Sequence, residues 1–444
     1  MGGSGGTSRV RRLIDGPFVW ASLATALAIA CGGAATGGAR DPGLETFALD
    51  YGNPEIADPG VNGDADRSLD PIVLPDVAGD PGVVTPEDPG PLDCTHVKVT
   101  GVTCAPSQHV TVAYADVTLD VTGPCTGGQP VHRVVKSDAQ GLYTFNDVPP
   151  GTATLSFSRG SYSSSTDLPI AAGQDVHLAG MAKRCFNTVG SARLAVVSGN
   201  ADNIESLLDD LGLAHDTFSD GTDTTPVTPV LTSAAHGFLT DPTKLKDYDI
   251  VFIDCSSSVQ AMLEGSATIP ANLKTFVESG KALYTSDWAW AYIEKTWPGA
   301  IQFTGVPGSF VKGSGDKPEP KNGPRQGPGP TLSEKQKGAA PYTTTGQIVD
   351  ADLAAAVGKT STTLYYDLGT WVVMAGPGSG TTAIEATVTG PSGTWGVVPQ
   401  LVTFQPAGTN GRVLFTSFHN IAQQDAGGNV DDIKAILSYV VFSL

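Results

Sequence analysis

The chain has 444 residues and a formal net charge of -19, which excludes nucleic acid and anionic membrane surfaces as partners of its folded parts. Charged residues make up only 16% while Gly and Pro number 54 and 32, a balance that suits β-rich extracellular domains joined by open linkers. The length accommodates a linker and two domains.

Arg9, Arg11 and Arg12 precede an uncharged run from Pro17 to Ala30 that is too short to span a bilayer comfortably, the anatomy of a signal peptide over residues 1–30. The run ends Leu27-Ala28-Ile29-Ala30-Cys31. These residues resemble the lipobox of bacterial lipoproteins, with Ala28 where such boxes prefer leucine. The resemblance implies a lipid on Cys31 and export from the cytoplasm. Gly32 after the cysteine further implies the outer membrane or cell surface; the competing expectation is an ordinary cleaved signal peptide.

Residues 31–93 carry Asp-Pro-Gly units at Asp41, Asp58, Asp80 and Asp88. Such a segment buries no core and reads as a disordered, self-repelling spacer with a relaxed reach on the order of 40 Å. Cys94, Cys104, Cys125 and Cys185 then bracket residues 94–185. Outside the cytoplasm they are expected to pair, in any of three connectivities, and Cys255 is left over. With no CxxC and no nearby histidine pair, no metal site is expected, and no cofactor.

From Val97 to about Met181 short alternating runs appear, including Val110 to Tyr114 and Val117 to Val121, punctuated by turn residues in an all-β sandwich pattern. Asp138 to Gly141 reads as a hairpin turn, Tyr143 and Phe145 share a face, and Pro149-Pro150-Gly151 turns the chain into the next strand. The stretch Lys136 to Leu155 resembles the carboxypeptidase regulatory-like, or CnaB-like, prealbumin-type domain. That resemblance implies a seven-stranded sandwich serving as a stalk or adhesion module.

Residues 190–444 alternate strand-like and helix-like runs. Arg193 to Val197, Tyr248 to Ile253, Ala282 to Tyr284 and Arg412 to Phe415 read as strands; Asn203 to Leu211, Pro270 to Ser279, Trp288 to Thr296 and Val430 to Phe442 read as helices. The alternation predicts an α/β doubly wound, flavodoxin-like domain. Thr363 to Tyr366, Trp371 to Val373, Ala383 to Val388 and Leu401 to Phe404 suggest an antiparallel extension. Residues 305–338 form a Gly, Pro and Lys insertion, expected to be flexible.

Gly280 to Ala289 and Val413 to Asn420 resemble the nucleophile-elbow strand and the histidine strand of class I glutamine amidotransferase-like domains. The resemblance puts Asp287 at the nucleophile position and His419 at the catalytic histidine. It also puts Thr285 and Ala289 where the family has glycines, and Ile421 in place of the acid after the histidine. An elbow strains its nucleophile and the histidine needs an acid to fix its tautomer, so the expectation is a degenerate site. The protein is accordingly expected to be a surface lipoprotein that binds or scaffolds envelope glycans or proteins without catalysis. Two alternatives stand: an extracellular amide or ester hydrolase using Ser286 or Asp287 with His419, and a glycan-binding module with Trp288, Trp290 and Trp297 as a platform. Without an active site, Asp287 would cap the helix that follows it, and Cys255, after a buried strand, would be an inert buried thiol.

Overall fold

The computed structural model describes residues 90–178, 185–186, 192–222, 229–304, 338–339, 341–367, 370–390, 393–420, 423 and 430–444. The signal segment, Cys31, the acidic spacer through residue 89 and the insertion at 305–337 lie outside them. Asp93–Leu444 belongs to one compact unit. It is rich in β-structure, built on several sheets with short helices.

The N-terminal part folds as β1 (Val97–Val102), β2 (Asp116–Thr122), β3 (Val131–Lys136), β4 (Leu142–Val148), β5 (Gly151–Arg159), β6 (Tyr162–Ile170) and β7 (Val176–His177). These form a three-stranded sheet, order β4-β1-β7, and a four-stranded sheet, order β3-β2-β5-β6. Alternation explains the packing: Val117, Leu119 and Val121 of β2 are buried while the residues between them reach outward. Tyr143 and Phe145 do share the buried face, and Tyr143 meets Phe157 of the other sheet edge-on at 5.9 Å.

Two expectations are corrected here. Val110 to Tyr114 is a loop and not a strand: it makes one isolated antiparallel bridge, Thr111 to Cys104, and the φ of 56° at Tyr114 turns the chain out of an extended path. Asp138 to Gly141 does turn, with Asp138 Oδ1 accepting the amides of Gln140 (2.9 Å) and Leu142 (2.8 Å). It carries the chain from one sheet to the other, however, so β3 and β4 are not a paired hairpin. Gly141 is required there: its φ is +76°, and a Cβ would lie 2.8 Å from Thr103 O.

Of the three possible connectivities the structure forms Cys94–Cys125 and Cys104–Cys185. The first ties the lead-in of β1 to the turn after β2, and the second ties the loop after β1 to the segment after β7.

The larger part is a nine-stranded mixed sheet. Its strands are β8 (Leu194–Ser198), β9 (His215–Ser219), β10 (Ile250–Ile253), β11 (Ala282–Ser286), β12 (Tyr342–Ile348), β13 (Ser361–Tyr366), β14 (Thr381–Gly390), β15 (Gly393–Phe404) and β16 (Arg412–Thr416). The order is β13-β12-β14-β15-β16-β11-β10-β8-β9. The strands from β16 to β9 run parallel, and Thr363 to Tyr366, Ala383 to Val388 and Leu401 to Phe404 extend the sheet antiparallel as expected; Trp371 to Val373 does not join it, because Thr370–Trp371 pairs with Gly338–Ala339 in a separate two-stranded sheet. Helices α1 (Ile204–Leu211), α2 (Thr268–Glu278), α3 (Trp290–Thr296) and α4 (Val430–Val441) cover it.

Buried residues on the two faces of β8 enter separate cores. Leu194 and Val196 pack with α1, α4 and the sandwich; Ala195 and Val197 pack with α2 and α3. A strand buried on both faces needs a continuous apolar run, which is why Ile250 to Ile253 holds no polar residue. Phe442, just past α4, lies 4.8 Å from Tyr162 and 5.8 Å from Phe186. The C-terminal helix thus docks the sheet on the sandwich. No helix among the described residues is long and apolar enough to cross a membrane.

Candidate functional site

Parallel strands in register deliver their C-terminal ends to one edge: Val197 pairs with Ile253, Ile253 with Thr285, and Ser286 with Thr416. The residues that follow, Asp202 after β8, Asp254 and Cys255 after β10, Asp287 after β11 and His419 after β16, therefore converge. Asp287 leaves its strand with a φ of +36°, a backbone region costly for any residue with a Cβ. A short turn of 3-10 helix, Asp287–Ala289, then leads into α3.

Asp287 is fully buried and His419 is 5% exposed. His419 Nε2 lies 3.2 Å from Asp287 Oδ2, a close ion pair whose direction misses a linear hydrogen bond. Asp287 Oδ1 accepts the backbone amide of Val372 at 2.7 Å. Cys255 Sγ stands 3.8 Å from Asp287 Oδ2, and Cys255 N donates to Ser286 Oγ at 3.0 Å. At the other ring nitrogen of His419, Asp367 Oδ1 is 4.0 Å from Nδ1.

The sequence-predicted residues thus separate. Asp287 and His419 come together as anticipated, while Ser286 turns its hydroxyl to the Cys255 amide. Asp287 is not a helix cap, since its carboxylate accepts from Val372 and none of the α3 amides. Cys255 lies outside both disulfides and is buried as expected, but it joins the Asp287–His419 pair. Cysteine spacing pointed to no metal site, and it carries no information on which side chains meet across the strand ends. One ligand atom each from Cys255, Asp287 and His419 lies within 4.8 Å of the others. Asp367, Asp202 and the Val372 amide were missed because nothing in their local sequence marks them. The tryptophan platform is not formed: Trp288 and Trp290 are buried, and half-buried Trp297 packs edge-on against Phe404.

Electrostatics around the pair are dominated by carboxylates. Burial pushes the Asp287 carboxyl up, against the opposing pull of His419 and the Val372 amide. Burial alone would lower His419, but the Asp287, Asp202 and Asp367 carboxylates outweigh it and raise it to about 9. Asp254 is also driven well above the usual carboxylate range, first by burial and then by Asp202 and Glu205.

The surrounding loops are pinned by their own hydrogen bonds. Asp202 Oδ1 accepts the amides of Asn203 (2.9 Å) and Asn420 (3.0 Å), fixing the loop that carries His419 to the start of α1. Asn203 in turn caps α1 at Ser206 N (3.1 Å). After β10, the hydroxyls of Ser256 and Ser258 both donate to Asp220 Oδ2. A cleft of about 510 Å³ lined by Arg159, Asp350, Arg412 and Tyr439 lies elsewhere and shares no residue with the cluster.

No family model and no curated protein matches the chain. Among solved structures, a GMP synthase component from Thermoplasma acidophilum is 8% identical and covers 57% of this chain and 94% of its own, with a TM-score of 0.33. A ThuA-like protein from Parabacteroides merdae is 16% identical over 55% of this chain and 88% of its own, TM-score 0.34. The 5-hydroxyisourate hydrolase of Klebsiella pneumoniae is 18% identical over 18% of this chain and 85% of its own, TM-score 0.15.

Proposed function

We propose that the chain is a cell-envelope lipoprotein, held by a lipid on Cys31 at the outer membrane or cell surface, that binds or organises envelope glycans or proteins without catalysis. In this reading the N-terminal sheets are a prealbumin-like, carboxypeptidase regulatory-like module and the nine-stranded sheet is a doubly wound, amidotransferase-like domain with a retired site. The observation that carries it is the state of Asp287. At the elbow position a nucleophile must face substrate, whereas this carboxylate is fully buried with Oδ1 on a backbone amide and Oδ2 against His419.

A second reading, an amide or ester hydrolase using Asp287 with His419, draws on the +36° φ of Asp287 and the 3.2 Å approach of the imidazole. Turnover of activated ester and anilide substrates by wild type and His419→Ala separates the two. The scaffold reading expects background rates in both. Hydrolysis about a hundredfold above background that disappears in His419→Ala would establish the second reading instead. Mass spectrometry of the native N-terminus tests the anchor. Diacylated Cys31 is expected, and an unmodified Gly32 or later residue at the first position removes it.

A further inference from the structure

We infer that Cys255, Asp287 and His419 form a binding site for a single divalent transition-metal ion of the zinc class. The set is one thiolate, one carboxylate and one imidazole, a borderline-soft mixture that suits zinc better than magnesium or calcium, which take oxygen donors. The distances suit it as well. Zinc bonds of about 2.0–2.3 Å place tetrahedral ligands about 3.3–3.6 Å apart; here Nε2 to Oδ2 is 3.2 Å and Sγ to Oδ2 is 3.8 Å, and the thiol and imidazole donors lie within 4.8 Å of each other. All three donors are buried and follow adjacent strands in the parallel part of the mixed sheet.

Two further observations point to an ion. His419 Nε2 is fully enclosed, faces the other two donors and makes no hydrogen bond of proper direction. Asp367 Oδ1 lies 4.0 Å from the opposite ring nitrogen, outside direct hydrogen-bond distance but on the side from which a carboxylate supports a metal-ligating histidine. On binding, the thiol and imidazolium protons leave to solvent, and the ion replaces them with coordinate bonds to Sγ and Nε2 while Oδ2 supplies a negative charge. Three protein ligands leave a fourth position of the tetrahedron for an oxygen donor. The inference goes beyond the scaffold reading and stands whether or not the domain turns over a substrate.

The test is cobalt and zinc titration of the full-length chain carrying Cys31→Ser. Four of the six cysteines are in disulfides, so Cys255 is then the one thiol present. Chelator-stripped protein should take up one equivalent of cobalt with the intense visible bands of four-coordinate Co²⁺ and a thiolate-to-cobalt charge-transfer band, and zinc should displace it. Cys255→Ser should abolish the charge-transfer band, His419→Gln should remove the stoichiometric uptake, and Asp367→Asn should weaken zinc about tenfold. Near-UV circular dichroism checks that each variant is folded. If a variant is not folded, the parent spectrum still decides the question, because a thiolate band can come only from Cys255. A six-coordinate cobalt spectrum without a thiolate band, or uptake unchanged in the folded Cys255→Ser and His419→Gln variants, overturns the inference. Neither outcome bears on the turnover assay, so failure of one reading leaves the other standing.

Discussion

In the sandwich, polar side chains leave the core by alternation, and the polar residues of β2 and β5 reach the surface between buried Val117, Leu119, Leu155 and Phe157. At the carboxyl edge of the nine-stranded sheet the reverse holds. Asp202, Asp254, Asp287 and His419 are all buried there; Asp202 accepts the backbone amide of Asn420, and Asp287 is held by the Val372 amide and by His419. The sandwich is closed covalently by two disulfides, whereas the edge is closed electrostatically around a thiol outside both of them. A region stabilised by chain entropy and apolar burial should respond to reductant, and one stabilised by buried charge should respond to pH.

The contrast yields a ranked set of outcomes. Cys104→Ser with Cys185→Ser opens a loop spanning 81 residues of sequence separation and should cost about 4 kcal/mol, read from the urea midpoint. Leaving Asp287 buried without its cation in His419→Ala should cost about 3 kcal/mol, and a loss below 1 kcal/mol would remove the distinction between the regions.

The pH response comes next. In chelator-treated protein the folded state raises His419 from 6.5 to about 9, with Asp287, Asp202 and Asp367 facing it. Its stabilisation is therefore fully present below about pH 6.5 and is lost as pH rises through about 9, a change on the order of 3 kcal/mol that His419→Gln should lack. Lys434→Ala should have the smallest effect. It breaks a 2.6 Å pair with Asp210 in which both side chains are about half exposed, and should shift stability by less than about 1 kcal/mol.

Much of this architecture was legible because it is local. The alternation at Val117 to Val121, the apolar run at Ile250 to Ile253 and the helical spacing of Ile204, Leu207, Leu208 and Leu211 each appear where the residues placed them. Val110 to Tyr114 alternates equally well, yet it makes one isolated bridge, Thr111 to Cys104, and the positive φ at Tyr114 turns it out of an extended path. The site was legible only residue by residue. Asp254-Cys255, Asp287 and His419 each follow a strand, but their meeting depends on β10, β11 and β16 being adjacent and parallel. That order is set by non-local pairing and leaves no mark on cysteine spacing. Val372 and Asp367 reach the site from the segment after β13, which the alternation at Trp371 to Val373 assigned to the large sheet and which instead leaves it for a separate two-stranded pairing.

The proposed scaffold role makes Asp287 and His419 a buried structural pair. A double-mutant cycle of Asp287→Asn and His419→Gln, measured by urea unfolding of chelator-treated full-length chain, tests it most directly. A coupling energy of about 2 kcal/mol is expected, with the double variant more stable than the two single losses would imply. Additive losses, with coupling within about 0.3–0.5 kcal/mol of zero, would show that the two residues hold nothing together and would contradict it.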